Sequence, residues 1–151
     1  MIRVAVTITF DLLHAGHIDH LEKASKLGDK VIIIVDPDEF LIEKKGYALQ
    51  PLESRMRIAQ FLKNNIPWIE DVVVSIDKDG TCAETLRMIA KKYDNLIFAK
   101  GGDRIENNMP LNEIKVCQEI GCQIVYGIGR QLYSSSKIIK KVFNEQDSSY
   151  C

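Results

Sequence analysis

No apolar run in the sequence approaches the ~20 residues that a membrane-spanning helix needs; the longest, such as Val31–Val35, are of strand length. An excess of charge is missing too, since 20 basic and 21 acidic residues leave a net charge of −1. Neither nucleic acid nor a membrane is therefore an expected partner. The amino end has no basic start followed by the apolar stretch of a secretory signal, and opens on a strand-like segment, Ile2 to Ile8. Cytoplasmic residence is the expectation. Cysteine is scarce, and Cys117 and Cys122 stand five apart with no histidine close by in sequence. That is poor zinc spacing, so the four cysteines read as reduced thiols and these two as buried ones. Repeats and low-complexity linkers are absent, which predicts a single domain over 1–143 and a polar, frayed tail over 144–151.

What the chain does contain is an alternation of strand-length apolar runs with segments of helical period. The runs are Val4–Ile8, Val31–Val35, Val72–Ile76, Leu96–Ala99 and Gln123–Tyr126. Between them, Ile18, Leu21, Ala24 and Leu27 recur at helical spacing, and Pro51 opens a helix expected to bury Met56, Ile58, Phe61 and Leu62. Further helices are expected over Thr81–Lys92, Pro110–Ile120 and Ser134–Phe143. Continuously apolar strands alternating with helices predict an α/β fold, a doubly wound (Rossmann-like) five-stranded parallel sheet with helices on both faces. Ligands of such sheets bind beyond the carboxyl ends of the strands, so the loops there matter most.

Histidine is rarer still, with three in the whole chain, and all fall at or just after the first of those loops: His14, His17 and His20. The junction reads Thr9-Phe10-Asp11-Leu12-Leu13-His14-Ala15-Gly16-His17. A helix N-terminus offers unpaired N–H groups and positive dipole character to an anion. Two histidines three apart, across a glycine that lets phosphate come close, suit that anion better than chance capping does. His20, one turn on, reads as structural.

This loop resembles the Gly-x-Phe-Asp…His-x-Gly-His signature of the cytidylyltransferase-like nucleotidyltransferases. By that resemblance His14 and His17 touch a triphosphate and stabilise charge at its α-phosphorus, and Thr9, Phe10, Asp11 and Gly16 belong to the nucleotide site. Lys44 and Lys45, after the second strand, and Arg55 in the next helix match family positions that bind phosphates, with Lys45 in a catalytic role. Lys100-Gly101-Gly102-Asp103-Arg104 is similar to a segment of heptose-1-phosphate adenylyltransferases, which places Gly101, Asp103 and Arg104 at the nucleotide. Ser134, Ser135 and Ser136 match a Ser/Thr-rich motif that contacts the outer phosphates. A homodimer is a further expectation of the resemblance.

The reaction so implied transfers a nucleoside monophosphate from ATP or CTP to a sugar or polyol phosphate, with Mg²⁺ accompanying the triphosphate and pyrophosphate released. The Lys-Gly-Gly-Asp stretch leans toward ATP and a sugar 1-phosphate. Two alternatives stand beside it. One is a CTP-dependent glycerol-3-phosphate-type cytidylyltransferase. The other, an inactive nucleotide-binding regulator, is raised by Ile8, which replaces the family glycine where the nucleotide passes.

Overall fold

The computed structural model describes residues 1–102, 104–129 and 135–149, with the backbone alone for 135, 136 and 145–149. Its five strands are β1 (Arg3–Ile8), β2 (Lys30–Val35), β3 (Ile69–Val74), β4 (Leu96–Gly101) and β5 (Gln123–Ile128). Six helices accompany them: α1 (Ala15–Ser25), α2 (Asp38–Lys45), α3 (Leu52–Asn65), α4 (Ala83–Lys92), α5 (Leu111–Ile120) and α6 (Ser135–Ser149). The strands form one sheet in the order β3-β2-β1-β4-β5, and every neighbouring pair is parallel. This is the expected doubly wound architecture.

Strand side chains alternate between two cores. Val4, Val6, Ile8, Val31, Ile33 and Val35 face one side with Leu21 and Ala24 of α1 and Ala59 of α3. Ala5, Ile32, Ile34 and Phe98 face the other, with Leu86 and Ile89 of α4 and Val116 and Cys117 of α5. Burial on both faces is why stretches such as Val4–Val6 and Val31–Val35 are apolar at every position. Cys82, Cys117 and Cys122 are buried free thiols. Among the described residues no helix is long and apolar enough to cross a membrane.

Four features differ from the sequence-based expectation. The segment carrying Lys44 and Lys45 lies in none of the expected helices, yet it is helical, ending where Gly46 adopts φ 87°. Left-handed backbone of that kind favours glycine and stops the helix directly after Lys45. In α3 the fully buried stripe is Arg55 and Ala59, while Phe61 is 66% exposed. Strand β3 starts and ends earlier than expected, because Ser75 and Ile76 leave the sheet to meet Thr85. There Asp77 caps α4, accepting from the backbone N–H groups of Glu84 and Thr85 at 2.8 and 3.0 Å. Finally, α6 runs to Ser149, past the expected end at Phe143.

The chain steps outward from β1 to β3, then returns to β4 beside β1. Connections to either side of that switch leave on opposite faces and open a crevice above it.

Candidate active site

The crevice is a cleft of about 810 Å³, lined from all five strand ends. Thr9, His14, Gly16 and His17 come from the β1 end, and Asp36, Lys44 and Lys45 from the β2 end and α2. Thr81 and Cys82 follow β3, Lys100, Gly101 and Arg104 close β4, and Ile128 and Gly129 close β5.

The two histidines are built into the first turn of α1. His14 is its N-cap, and its Nδ1 accepts from the Gly16 N–H at 3.1 Å. His17 Nδ1 in turn accepts from the His14 N–H at 3.4 Å, completing a capping box. With both Nδ1 atoms accepting, each neutral ring carries its proton on Nε2, free to donate elsewhere. The rings stack with centroids 3.8 Å apart and planes at 22°, an arrangement that two imidazolium cations would oppose. Burial, more than any neighbouring charge, lowers both pKa values; His17 falls to about 3, with His14, His20 and Lys45 adding to the shift. The pair is therefore neutral at pH 7 and presents hydrogen-bond donors, rather than full charges, at the positive end of a helix.

Burial of a neutral histidine links folding to pH. His17 titrates near 6.5 when unfolded and near 3 when folded, so the unfolded chain binds the extra proton in between. Stability is intact above 6.5 and falls as the pH drops, at up to about 1.4 kcal/mol per pH unit from this one group. Thermal melts from pH 6 to 4 should lose about 3–5 °C per unit on this account. The slope should flatten in His17→Gln; equal slopes in the two proteins would refute the linkage.

His20 was expected to be structural, and its Nδ1 is tied to the Ile128 carbonyl at 2.7 Å, joining α1 to β5. It also lines the cleft. The contact depends on Gly129, at φ 87°, where an added Cβ would stand 3.1 Å from the His20 Cα. Lys45 lies close enough to depress both His14 and His17, and its own pKa is lowered, chiefly by burial.

Other expected binding residues are placed elsewhere. Phe10 is fully buried and meets the edge of the His17 ring with centroids 5.7 Å apart. Asp11 is also fully buried, and its two carboxylate oxygens accept from the N–H groups of Leu49 and Gln50 at 2.9 and 2.8 Å. Arg55 has no exposure; it donates to the carbonyls of Thr9, Asp36 and Gln50 and to the Asp38 carboxylate. None of the three lines the cleft. They fix the loops that carry the lining residues. Ile8 packs into the core and is 3% exposed, so little of it reaches the cleft floor. Asp103 and Ser134 lie outside the described residues; Ser135 begins α6, followed by Ser136.

Among the lining residues to which the sequence reading gave no role are Asp36, Lys100, Cys82 and Glu113. Asp36 follows the last residue of β2, and burial raises its pKa. Lys100 stands at the end of β4, just before the glycine pair, so its place was a usable signal. Cys82 and Glu113 gave none, because an acidic residue in a helix's first turn is ordinary.

A family model described as cytidylyltransferase-like matches residues 7–141. The chain belongs to that family. It is a nucleotidyltransferase. Within the family it is similar to a FAD synthase of Pyrococcus abyssi, 32% identical over 147 residues that span 93% of this chain and 92% of the relative. It is also similar to the bifunctional protein HldE of Citrobacter koseri, 34% identical over 143 residues; those cover 91% of this chain but 27% of the longer relative. Among solved structures, a lipopolysaccharide core biosynthesis protein from Thermoplasma volcanium shares the fold at TM-score 0.66 and 23% identity, over 87% of this chain and 99% of that one. So does a Francisella tularensis NMN adenylyltransferase/ADP ribose pyrophosphatase complexed with AMP and a manganese ion, at TM-score 0.62 and 15% identity, over 95% of this chain and 42% of that one.

Proposed function

We propose that the protein transfers AMP from ATP to the phosphate of a small, hydroxyl-rich acceptor, releasing pyrophosphate. The observation that carries this reading is the neutral, stacked His14–His17 pair at the N-terminus of α1, with both Nε2–H groups left as donors. Such donors suit charge that develops on phosphate oxygens, and they need no reorganisation as it develops. ATP is favoured over CTP because both sequence relatives named above point to adenylyl chemistry. FAD contains an AMP half, so its synthesis by this route needs a phosphorylated flavin acceptor. The HldE match and the Lys100-Gly101-Gly102 stretch point instead to a sugar 1-phosphate.

An acceptor phosphate, with a second pKa of about 6, is largely ionised at pH 7. One of its oxygens attacks the α-phosphorus in line, the new P–O bond forms, and pyrophosphate leaves with the electrons of the broken bond. No residue need remove a proton. His14 and His17 donate to the phosphate oxygens, and Lys45 supplies charge beside them. Lys44 and Arg104 extend the cationic rim. No group of three or more metal-ligating side chains occurs among the described residues. Mg²⁺ arriving with the triphosphate would supply charge neutralisation there. Ile8 lines the cleft floor but is 3% exposed and packed in the core, which supports an active site rather than an inert one.

The test is a melting screen of ATP, CTP, GTP and UTP with Mg²⁺, followed by pyrophosphate release with glucose 1-phosphate, glycerol 3-phosphate and riboflavin 5′-phosphate. ATP should raise the melting temperature most, since a ligand that binds only the native state stabilises it. Turnover is expected with at least one acceptor. A preference for CTP, or nucleotide binding without turnover on the whole panel, would overturn the reading.

A further inference from the structure

Glu113 carries a buried oxygen that no hydrogen bond among the described residues satisfies. Its side chain is 5% exposed and lines the cleft. Oε2 accepts from the Cys82 N–H at 2.9 Å and the Cys82 thiol at 3.3 Å. Oε1 has no hydrogen-bond partner, alone among the buried side-chain nitrogens and oxygens of the described residues. Lys100 Nζ stands 3.8 Å away, within ion-pair range but beyond a hydrogen bond. That ammonium is itself buried, over the Phe98 ring at 4.6 Å from its centroid. A buried carboxylate oxygen without a donor is costly, and native structures seldom leave one so.

The gap between a bare acceptor and a fixed donor fits a hydroxyl, which gives its proton to one and takes a hydrogen bond from the other. A phosphate or a carboxylate would meet Glu113 as a like charge. We infer that Glu113 and Lys100 bind a hydroxyl on the acceptor's carbon chain, making Glu113 a specificity-determining residue for polyhydroxylated acceptors. The inference rests on the transferase reading above and extends it to the acceptor's chemistry. Two sources share that chemistry, a sugar ring and the ribityl chain of a flavin phosphate. The hydroxyl is assigned to the acceptor rather than to the ATP ribose because Glu113 is held by Cys82, in the segment after β3 at the edge of the sheet away from β5. Lys100 adjoins Gly101, expected at the nucleotide, so the pair stands where the two substrates meet.

The experiment compares the intact protein with Glu113→Gln, which keeps the shape but turns the free oxygen into an amide donor. ATP binding is followed by thermal shift. Acceptor binding is measured by calorimetry with glucose 1-phosphate, its 2-deoxy and 3-deoxy analogues, and riboflavin 5′-phosphate. The expected result is a tenfold or greater loss of affinity, and the same rise in acceptor KM, for the hydroxylated acceptor that binds. The ATP shift should be unchanged. One deoxy analogue should bind both proteins equally weakly, and whichever acceptor shows the loss identifies the source. Equal acceptor binding by the two proteins would overturn the inference and leave the transferase reading standing. A loss confined to ATP would move Glu113 to the nucleotide and overturn it as well. Should no acceptor bind even the intact protein, the hydroxyl site is wrong, and the ATP shift then reports separately on the transferase reading.

Discussion

Replacing His17 with alanine should lower turnover by about 10²–10³-fold, the range seen when one preorganised donor to a developing oxyanion is removed. His17 does two things in the structure. It accepts the His14 N–H in the capping box, and it leaves Nε2–H pointing away from that bond. The variant loses both, but the losses differ in size. A lost cap is worth about 1 kcal/mol, or roughly 2–4 °C in a protein this long. The lost donor appears only in the rate. His17→Gln separates the two further, because an amide side chain can donate from a similar distance and should recover part of the activity. The measurement is kcat for pyrophosphate release beside a melting curve. Near-normal kcat in His17→Ala would remove the histidine pair from the chemistry.

Arg55→Ala should produce the largest stability loss in the protein, about 3–5 kcal/mol, the usual cost of removing one partner of a buried charged network. Three carbonyls, those of Thr9, Asp36 and Gln50, lose their donor, and Asp38 loses the guanidinium 2.6 Å from its carboxylate. A cavity of arginine size opens as well. At 2–4 °C per kcal/mol the melting temperature should fall by about 6–20 °C. Arg55→Lys should fall only partly short of this, since one ammonium cannot reach four acceptors lying in different directions. The alternative, that Arg55 grips a substrate phosphate, predicts the reverse pattern: an unchanged melt with an acceptor KM raised at least tenfold. Melting curves and KM values on the same two variants decide between them.

These two residues show where sequence patterns are informative. Runs such as Val31–Val35 give the parallel sheet because a strand buried on both faces has no polar position to offer. The histidines give the site because they are rare, spaced three apart and placed after the first strand. Arg55 was legible as part of the site but not as its brace. Helical patterning assigns an arginine to the surface, so nothing flagged a charge buried beside Ala59, and Phe61 took the place of buried residue in the expected register. Asp11 follows the same logic. Its motif position marks it as important, but whether it holds a ligand or two N–H groups of its own chain depends on the fold of residues 49 and 50. Helix α2 was missed because it starts after Pro37 with no side-chain cap and buries only the adjacent pair Phe40 and Leu41. Glu113 could not be found at all, since its meaning lies in what fails to reach it.

The Arg55 guanidinium also has a bearing on the order in which substrates arrive. It holds the Thr9 carbonyl, at the root of the histidine loop, together with Asp36 and Asp38, at the root of the helix that carries Lys44 and Lys45. The β1 and β2 walls of the cleft are thus clamped to one planar group before any ligand enters. Neither substrate has to assemble those walls for the other, and a random order of addition is the expected kinetic counterpart of that clamp.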